Sequence, residues 1–95
     1  MAVTVRLPGS LAEATGGATR VEATGGSLRE VVADLERRFP ALGGRILDRS
    51  GAMPAHVNVF IGDDDAREVG GASARVPEGA LIMVIPAMAG GAGRG

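Results

Sequence analysis

Two adjacent glycines near the carboxyl end are the residues of this chain whose spacing could serve chemistry. They complete a segment of small or unbranched residues, which are Ala87, Met88, Ala89, Gly90 and Gly91. Such a pair can be the working part of the molecule, because glycine has no Cβ and its backbone can approach other groups closely. Glycine-rich ends are also common as flexible termini without a role. The elements that lead into the pair decide between these two interpretations.

The remaining polar residues offer no catalytic or metal-binding pattern. His56 is the single histidine and cysteine is absent, so a metal site would need carboxylates from elsewhere in the chain. Asp63, Asp64 and Asp65 are consecutive, whereas a calcium loop needs acidic residues at alternate positions and a distal Glu. A serine nucleophile needs an oriented base, and nothing places His56 beside a serine. We therefore expect no catalytic residue, no metal site and an ordinary turn at residues 63–65.

Composition limits the class of protein. The 95 residues suit one domain, with a core of aliphatic residues because there are two Phe and no Trp or Tyr. A net charge of −1 and the scarcity of aromatic residues argue against nucleic-acid binding. No apolar run is long enough for a membrane span or resembles a signal peptide. We expect a cytoplasmic protein that binds neither nucleic acid nor membrane.

Hydrophobic periodicity predicts the elements of the first half. Alternation over residues 3–7 and 20–23 indicates two strands that pair as a hairpin. The apolar stripe that runs from Leu28 to Phe39 predicts a helix. Ser27 and Glu30 have the spacing of a capping box, and Pro40 ends the helix.

The second half predicts a crossover and three further strands. The expected features are a crossover over residues 41–54 with at most one helical turn at 45–48, a strand at 56–61, a turn at 62–65, a short return strand at 67–69, a turn at 77–79 and a strand at 80–85 buried on both faces. This order is typical of an α+β, β-grasp (ubiquitin-like) fold, with a mixed sheet of about five strands crossed by one main helix. Residues 1–86 would form this domain, and residues 87–95 a flexible C-terminal tail that leaves from the middle of the sheet.

Two stretches carry a resemblance to a known family. The sequences VNVFIGDDDAREVGG (residues 57–71) and VPEGALIMVIPAMAGG (residues 76–91) resemble the ThiS/MoaD family of ubiquitin-like sulfur carriers. Within the family the chain is most similar to the CysO-like carriers of actinobacterial cysteine biosynthesis. The resemblance covers residues 2–91 and is most specific in the Ile-Pro-Ala-x-Ala-Gly-Gly ending. Two features depart from it: Ala80 follows Gly79 where members often have Asp, and the chain continues beyond Gly91.

The resemblance implies a mechanism. An adenylating enzyme of the MoeB/ThiF type would use ATP to activate the Gly91 carboxylate, and a sulfur donor would convert it to a thiocarboxylate. A sulfur-accepting biosynthetic enzyme would then receive the sulfur, in a cysteine, thiazole, molybdopterin or thiosugar route. The carrier would be a protein cosubstrate without a permanently bound cofactor. The alternative is a non-catalytic β-grasp interaction module, or a regulatory subunit, with an inert tail.

Three further expectations concern the surroundings of the tail. Pro86 should hold the direction in which the tail leaves, because its φ is fixed. The docking face should be the exposed side of the sheet beside the tail, with aliphatic residues at its centre and charges at its rim. Arg67 and Arg75 are candidates for that rim, although either can be ordinary solvated surface. A peptidase should cut after Gly91 to release the working carboxylate, and resemblance to carriers with masked ends implies a metalloprotease. The alternative is that residues 92–95 are merely tolerated.

Overall fold

The computed structural model describes residues 2–86. Seven regular elements lie in this range: β1 (Ala2–Arg6), α1 (Gly9–Ala12), β2 (Arg20–Thr24), α2 (Leu28–Arg38), β3 (Val57–Ile61), β4 (Asp64–Asp65) and β5 (Leu81–Pro86). Short 3₁₀ turns lie at Glu13–Thr15, Pro40–Leu42, Ala66–Glu68 and Gly71–Ser73.

The strands form one mixed sheet in the order β2-β1-β5-β3-β4. β5 is the central strand, parallel to β1 and antiparallel to β3. β1 and β2 pair as the predicted antiparallel hairpin, with Ala2 opposite Thr24 and Arg6 opposite Arg20. The α+β, β-grasp prediction is confirmed.

The core lies between one face of the sheet and the layer formed by α2 and the crossover. The predicted stripe of α2 is buried from Leu28 to Leu35, and Val3, Val5 and Val59 face it from the sheet. Fully burying one such side chain stabilises the fold by about 1.5–3 kcal/mol. No polar or charged residue is buried within residues 2–86, so the core itself holds no group that could do chemistry.

The start of α2 differs slightly from the expected capping box. The Glu30 N–H donates to the Ser27 hydroxyl oxygen at 3.3 Å, as expected. The Glu30 carboxylate, however, accepts from the Gly26 N–H at 2.8 Å rather than from Ser27. The preceding Gly25 has φ +153°, and a Cβ there would lie 2.7 Å from the Val31 nitrogen. Only glycine therefore lets β2 turn into this helix.

Three local features differ from the sequence predictions. The short helix α1 was not expected, and the helical turn of the crossover lies at Pro40–Leu42 rather than at 45–48. The return strand is β4, at Asp64–Asp65, whereas Arg67 and Glu68 lie in a 3₁₀ turn that ends just before Val69. The Asp65 carboxylate explains the last difference, because it accepts the Arg67 N–H at 2.9 Å and so caps that turn.

The expected burial of β5 on both faces is also wrong. Ile82 and Val84 are buried, but Leu81 is exposed and Met83 and Ile85 are only half-buried. The cause is that the helix layer covers one face of the sheet and no described element covers the other. The longest helix within residues 2–86, α2, has 11 residues, and none there is long and apolar enough to cross a bilayer.

Candidate functional site

The central strand β5 leads to the predicted working segment. Its last residue, Pro86, lies opposite Val57 at the start of β3. The carboxyl end of β1, at Arg6, lies on the other side of β5. The predicted site residues Ala87, Met88, Ala89, Gly90 and Gly91 lie outside the described residues. Whatever follows Pro86 therefore starts from the central strand, whose last residues, 84–86, are held in register by β3 alone, since the pairing with β1 ends at Met83.

A group of apolar side chains lies on the uncovered face of the sheet. We call this group the apolar strip, and its members are Phe60, Leu81, Met83 and Ile85. Met83 is its centre, since Phe60 is its neighbour on β3 and Arg6 its neighbour on β1. The strip runs along β5 towards the tail. This arrangement has the aliphatic centre expected of the docking face, whose role stays a prediction.

Two arginines border the strip on the β1–β2 side. Arg6 and Arg20 are directly opposite each other across the hairpin, and both are exposed. Like charges in this position destabilise a sheet. The ion pairs within residues 2–86 join Asp34 to Arg37 and Arg38, so neither Arg6 nor Arg20 is in one of them. The sequence interpretation missed this pair, because its register depends on how a long connection brings β2 back beside β1.

Arg67, one of the two predicted rim residues, lies at the tail end of the sheet. Its guanidinium donates to the Asn58 side chain at 2.9 Å and to the Val57 carbonyl at 2.8 Å. A further hydrogen bond, at 3.3 Å, reaches the Pro54 carbonyl. Since Val57 lies opposite Pro86, Arg67 fixes the strand end beside which the tail begins. Any contact with a partner would add to this structural role.

Arg75, the other predicted rim residue, lies at the opposite end of the sheet. It pairs with Ser27, just before α2. The N–H of Leu28 donates to the Ala74 carbonyl at 3.0 Å, which holds this segment there. The structure therefore does not bring Arg75 and Arg67 together around the tail, and a partner-binding role for Arg75 remains an untested prediction.

The polar residues considered for metal binding are dispersed. Within residues 2–86 no group of three or more His, Asp and Glu side chains is arranged to hold a metal ion. His56 is exposed and immediately precedes β3. Asp63 lies in the turn before β4, and Asp65 caps the following 3₁₀ turn.

Asp34 fastens α2 to the outer edge of the sheet. It accepts hydrogen bonds from Arg37, from Arg38 at 3.1 Å and from the Thr24 N–H at 3.1 Å. Desolvation acts to raise the pKa of Asp34, but the Arg37 and Thr24 hydrogen bonds and the Arg38 charge outweigh it and lower that pKa. Arg38 also donates to the Glu22 carbonyl. The edge of β2 is thus partly occupied by side chains, which hinders strand addition there and leaves the uncovered face as the larger surface for a partner.

Asp48 organises the loop of the crossover. The hydrogen bond from the Ser50 hydroxyl, followed by that from the Ala52 N–H, lowers the pKa of Asp48. The groove between this loop and α2 is lined by Arg29 and Arg49 but also by Glu36 and Asp48. Its charges balance, and Glu36 already accepts the Gly44 N–H at 3.3 Å, so the groove selects no charged ligand.

The chain is similar to known sulfur carriers over nearly its whole length. The model of the ThiS family matches residues 5–91. The sulfur carrier protein CysO of Mycobacterium tuberculosis is 37% identical over 93 residues, covering 96% of this chain and all of the relative. The crystal structure of M. tuberculosis CysO superimposes with a TM-score of 0.86 at 34% identity, covering 90% of this chain and 99% of the other. A chain from the Amycolatopsis orientalis BexX/CysO complex gives a TM-score of 0.85 at 35% identity, covering 90% and 96%.

Proposed function

The chain belongs to the ThiS family, and we propose that Gly91 is the residue whose carboxylate carries the sulfur. The protein is a ubiquitin-like sulfur carrier, a protein cosubstrate rather than a catalyst. The observation that carries the assignment of Gly91 is that the family match ends at this residue. The structure supports it, because the central strand of the fold ends five residues earlier, at Pro86.

The proposed chemistry proceeds in two steps on the tail. First, a carboxylate oxygen of Gly91 attacks the α-phosphorus of ATP on an adenylating enzyme, pyrophosphate leaves, and a mixed anhydride forms. A sulfur nucleophile from a donor then attacks the carbonyl carbon, and AMP leaves with the bridging oxygen. When the nucleophile is hydrogen sulfide, loss of its proton leaves a thiocarboxylate at Gly91 directly. When it is an enzyme persulfide, a second thiol cleaves the S–S bond of the acyl disulfide, which leaves the thiocarboxylate at Gly91 and a disulfide on the donor. ATP is consumed on the partner, and the cytoplasm, where ATP is available, is the compartment we propose.

The fold contributes position and reach. The five residues from Pro86 to Gly91 span roughly 17 Å when extended, which is enough to pass from the carrier surface into a partner's active site. Small residues suit a narrow channel, since a Cβ at Gly90 or Gly91 would meet its wall. The pairing of β5 with both β1 and β3 gives this segment a rigid base.

Two kinds of partner follow from the proposal. A MoeB/ThiF-like adenylating enzyme would cover the apolar strip, and acidic residues on it would face Arg6 and Arg20. The second partner is a sulfur-accepting biosynthetic enzyme. Likeness to CysO favours one that forms cysteine, and the solved BexX/CysO complex is an example of a CysO protein bound to another protein.

A chain that continues beyond Gly91 requires a further step. Residues 92–95 by themselves move any later carboxylate away from Gly91 by roughly 13 Å or more, and the charged Arg94 is costly to desolvate in a channel suited to glycine. We propose that a peptidase, by analogy a metalloprotease, cuts between Gly91 and Ala92. The competing possibility is that residues 92–95 are tolerated without processing.

Sulfur loading tests this proposal directly. The form that ends at Gly91 is incubated with an adenylating enzyme, ATP and a sulfur source, and its intact mass is measured. We expect the mass gain of one oxygen-to-sulfur exchange, absent from the form that ends at Gly95. Gly90→Ala should block the gain without changing the melting temperature, because the core described within residues 2–86 forms without this residue. If the Gly91 form stays unmodified while CysO is converted beside it, the alternative of an interaction module with an inert tail is favoured.

A further inference from the structure

A small cleft opens at the tail end of the sheet, on the side of the core. Its apolar walls are Leu11 of α1, Val57 of β3 and Val84 of β5, and Pro8 and Pro86 border it. We call it the exit cleft, because Pro86, the last described residue, forms part of its wall. The cleft therefore lies beside the point from which the predicted working segment starts.

The polar groups of the exit cleft are all hydrogen-bond donors, and none is acidic. They are the Ser10 hydroxyl, the Arg45 guanidinium and the His56 imidazole. All three residues are exposed. Within residues 2–86 none of these side chains makes a hydrogen bond or an ion pair with another residue. An apolar floor with a donor-rich, cationic rim suits a ligand that combines an apolar side chain with a carboxylate.

The size of the exit cleft restricts this ligand. Its volume is about 160 Å³, whereas sites for cofactors and other small molecules usually span about 300–1,000 Å³. A nucleotide is therefore too large for it. One side chain of a peptide fits, together with a carboxylate at the rim.

We propose that the exit cleft binds the chain's own segment 87–91, with the Met88 side chain on the apolar floor and the Gly91 carboxylate at Arg45 and His56. Met88 is the only large apolar side chain after Pro86 and is two residues away from it. Its unbranched side chain adapts to irregular clefts. Because the segment is covalently linked to the domain at Pro86, its effective concentration at the cleft is in the millimolar range.

This inference deepens the proposed function and rests on it only in taking Gly91 as the mature end. It implies that the tail alternates between the carrier's own surface and the channel of a partner, so that a partner must compete for it. The unprocessed form should bind the cleft less well, because Arg94 brings a positive charge to a rim that is already cationic.

NMR of the isolated carrier tests the proposal without ATP or any enzyme, so a failure of sulfur loading does not affect its outcome. Amide and methyl shifts of the form ending at Gly91 are compared with those of its Met88→Asn variant and of the form ending at Gly95. We expect both changes to shift Leu11, Val57 and Val84 while leaving Phe60 and Leu81 unchanged.

Two charge reversals provide the control. Arg45→Glu in the Gly91 form should remove most of the difference that Met88→Asn makes at Leu11 and Val84. Arg49→Glu makes the same charge change on an exposed residue that does not line the exit cleft and should preserve the difference. The proposal is overturned if Met88→Asn leaves Leu11 and Val84 unshifted, if its effects fall on the apolar strip instead, or if the two reversals act alike.

Discussion

The two faces of the sheet are both apolar at the centre, but elements within residues 2–86 cover only one of them. On the core face, Val59 and Ile82 are almost fully buried under α2 and the crossover. On the outer face, Leu81 is 37% exposed and Met83 is half-buried. A solvated sheet face usually carries polar residues at such positions. An apolar strip bordered by two arginines that form no ion pair within residues 2–86 is the kind of surface that marks interaction sites, and its role as a docking face stays a proposal.

The largest effect on stability should come from the covered face. Leu35→Ala removes a side chain that is 1% exposed on α2 and leaves a cavity, so we expect the free energy of unfolding to fall by about 2–5 kcal/mol. Urea denaturation monitored by circular dichroism measures it. Arg29→Ala, an exposed change on the same helix, should stay within about 0.5 kcal/mol. Similar losses for both variants would mean that the helix layer is not what stabilises the sheet.

On the outer face, a substitution should affect sulfur loading more than it affects stability. Met83→Glu places a charge at the centre of the apolar strip, and we expect the rate of sulfur loading at limiting carrier concentration to fall at least about tenfold, or 1.4 kcal/mol. Unfolding should change by less than about 1 kcal/mol, because the new carboxylate lies beside Arg6.

The matched control for Met83→Glu is Ser73→Glu, on an exposed 3₁₀ turn that packs with α2 on the covered side. This variant should load at the rate of the unaltered carrier. Normal loading by Met83→Glu would show that the adenylating enzyme docks elsewhere.

For both faces of the sheet, the side chains that alternate could be predicted from the sequence, but the face that is covered could not. The period of two in β1, β2 and β3 and the stripe of α2 identified which side chains face the core. The apolar run of β5 identified a central strand but not which face would be covered, because that depends on elements distant in sequence. The exact position of β4 could not be predicted from periodicity, because the Asp65 carboxylate sets the start of the following turn.

The candidate site was predictable only in part, for the same reason. The assignment of Gly90 and Gly91 as the working segment comes from the sequence alone and stays a prediction, because both lie outside the described residues. Arg75 precedes β5 in sequence but is held at the far end of the sheet by its pairing with Ser27. Arg6 and Arg20 can be identified as a pair only from the strand register in the structure. Residues that meet across strands cannot be paired from sequence when the connection between the strands is long.

Asp34, at the border between the helix layer and the sheet, should give an intermediate effect that depends on pH. Its folded pKa is lowered, so its charge stabilises the fold above the unfolded pKa of about 3.9 and this stabilisation is lost as pH falls through the folded value. We expect Asp34→Asn to destabilise by about 1 kcal/mol at pH 7, with the difference shrinking below about pH 4. Thermal unfolding from pH 2.5 to 7 measures it, and a difference that is constant over this range would show that the charge contributes nothing.

The smallest expected change in stability is an increase, and it should be accompanied by weaker docking to the adenylating enzyme. Arg20→Glu converts the like-charge pair with Arg6 into an opposite-charge pair, so we expect the free energy of unfolding to rise by about 0.2–1 kcal/mol. If acidic residues of the adenylating enzyme face these arginines, the same variant should load more slowly at low ionic strength and lose part of the salt dependence of its rate. Arg49→Glu, the same charge change on the covered side, separates a local effect from one of net charge. A more stable Arg20→Glu carrier with an unaltered, equally salt-dependent rate would mean that the arginine pair has no partner on the enzyme. The docking surface would then be reduced to the apolar strip.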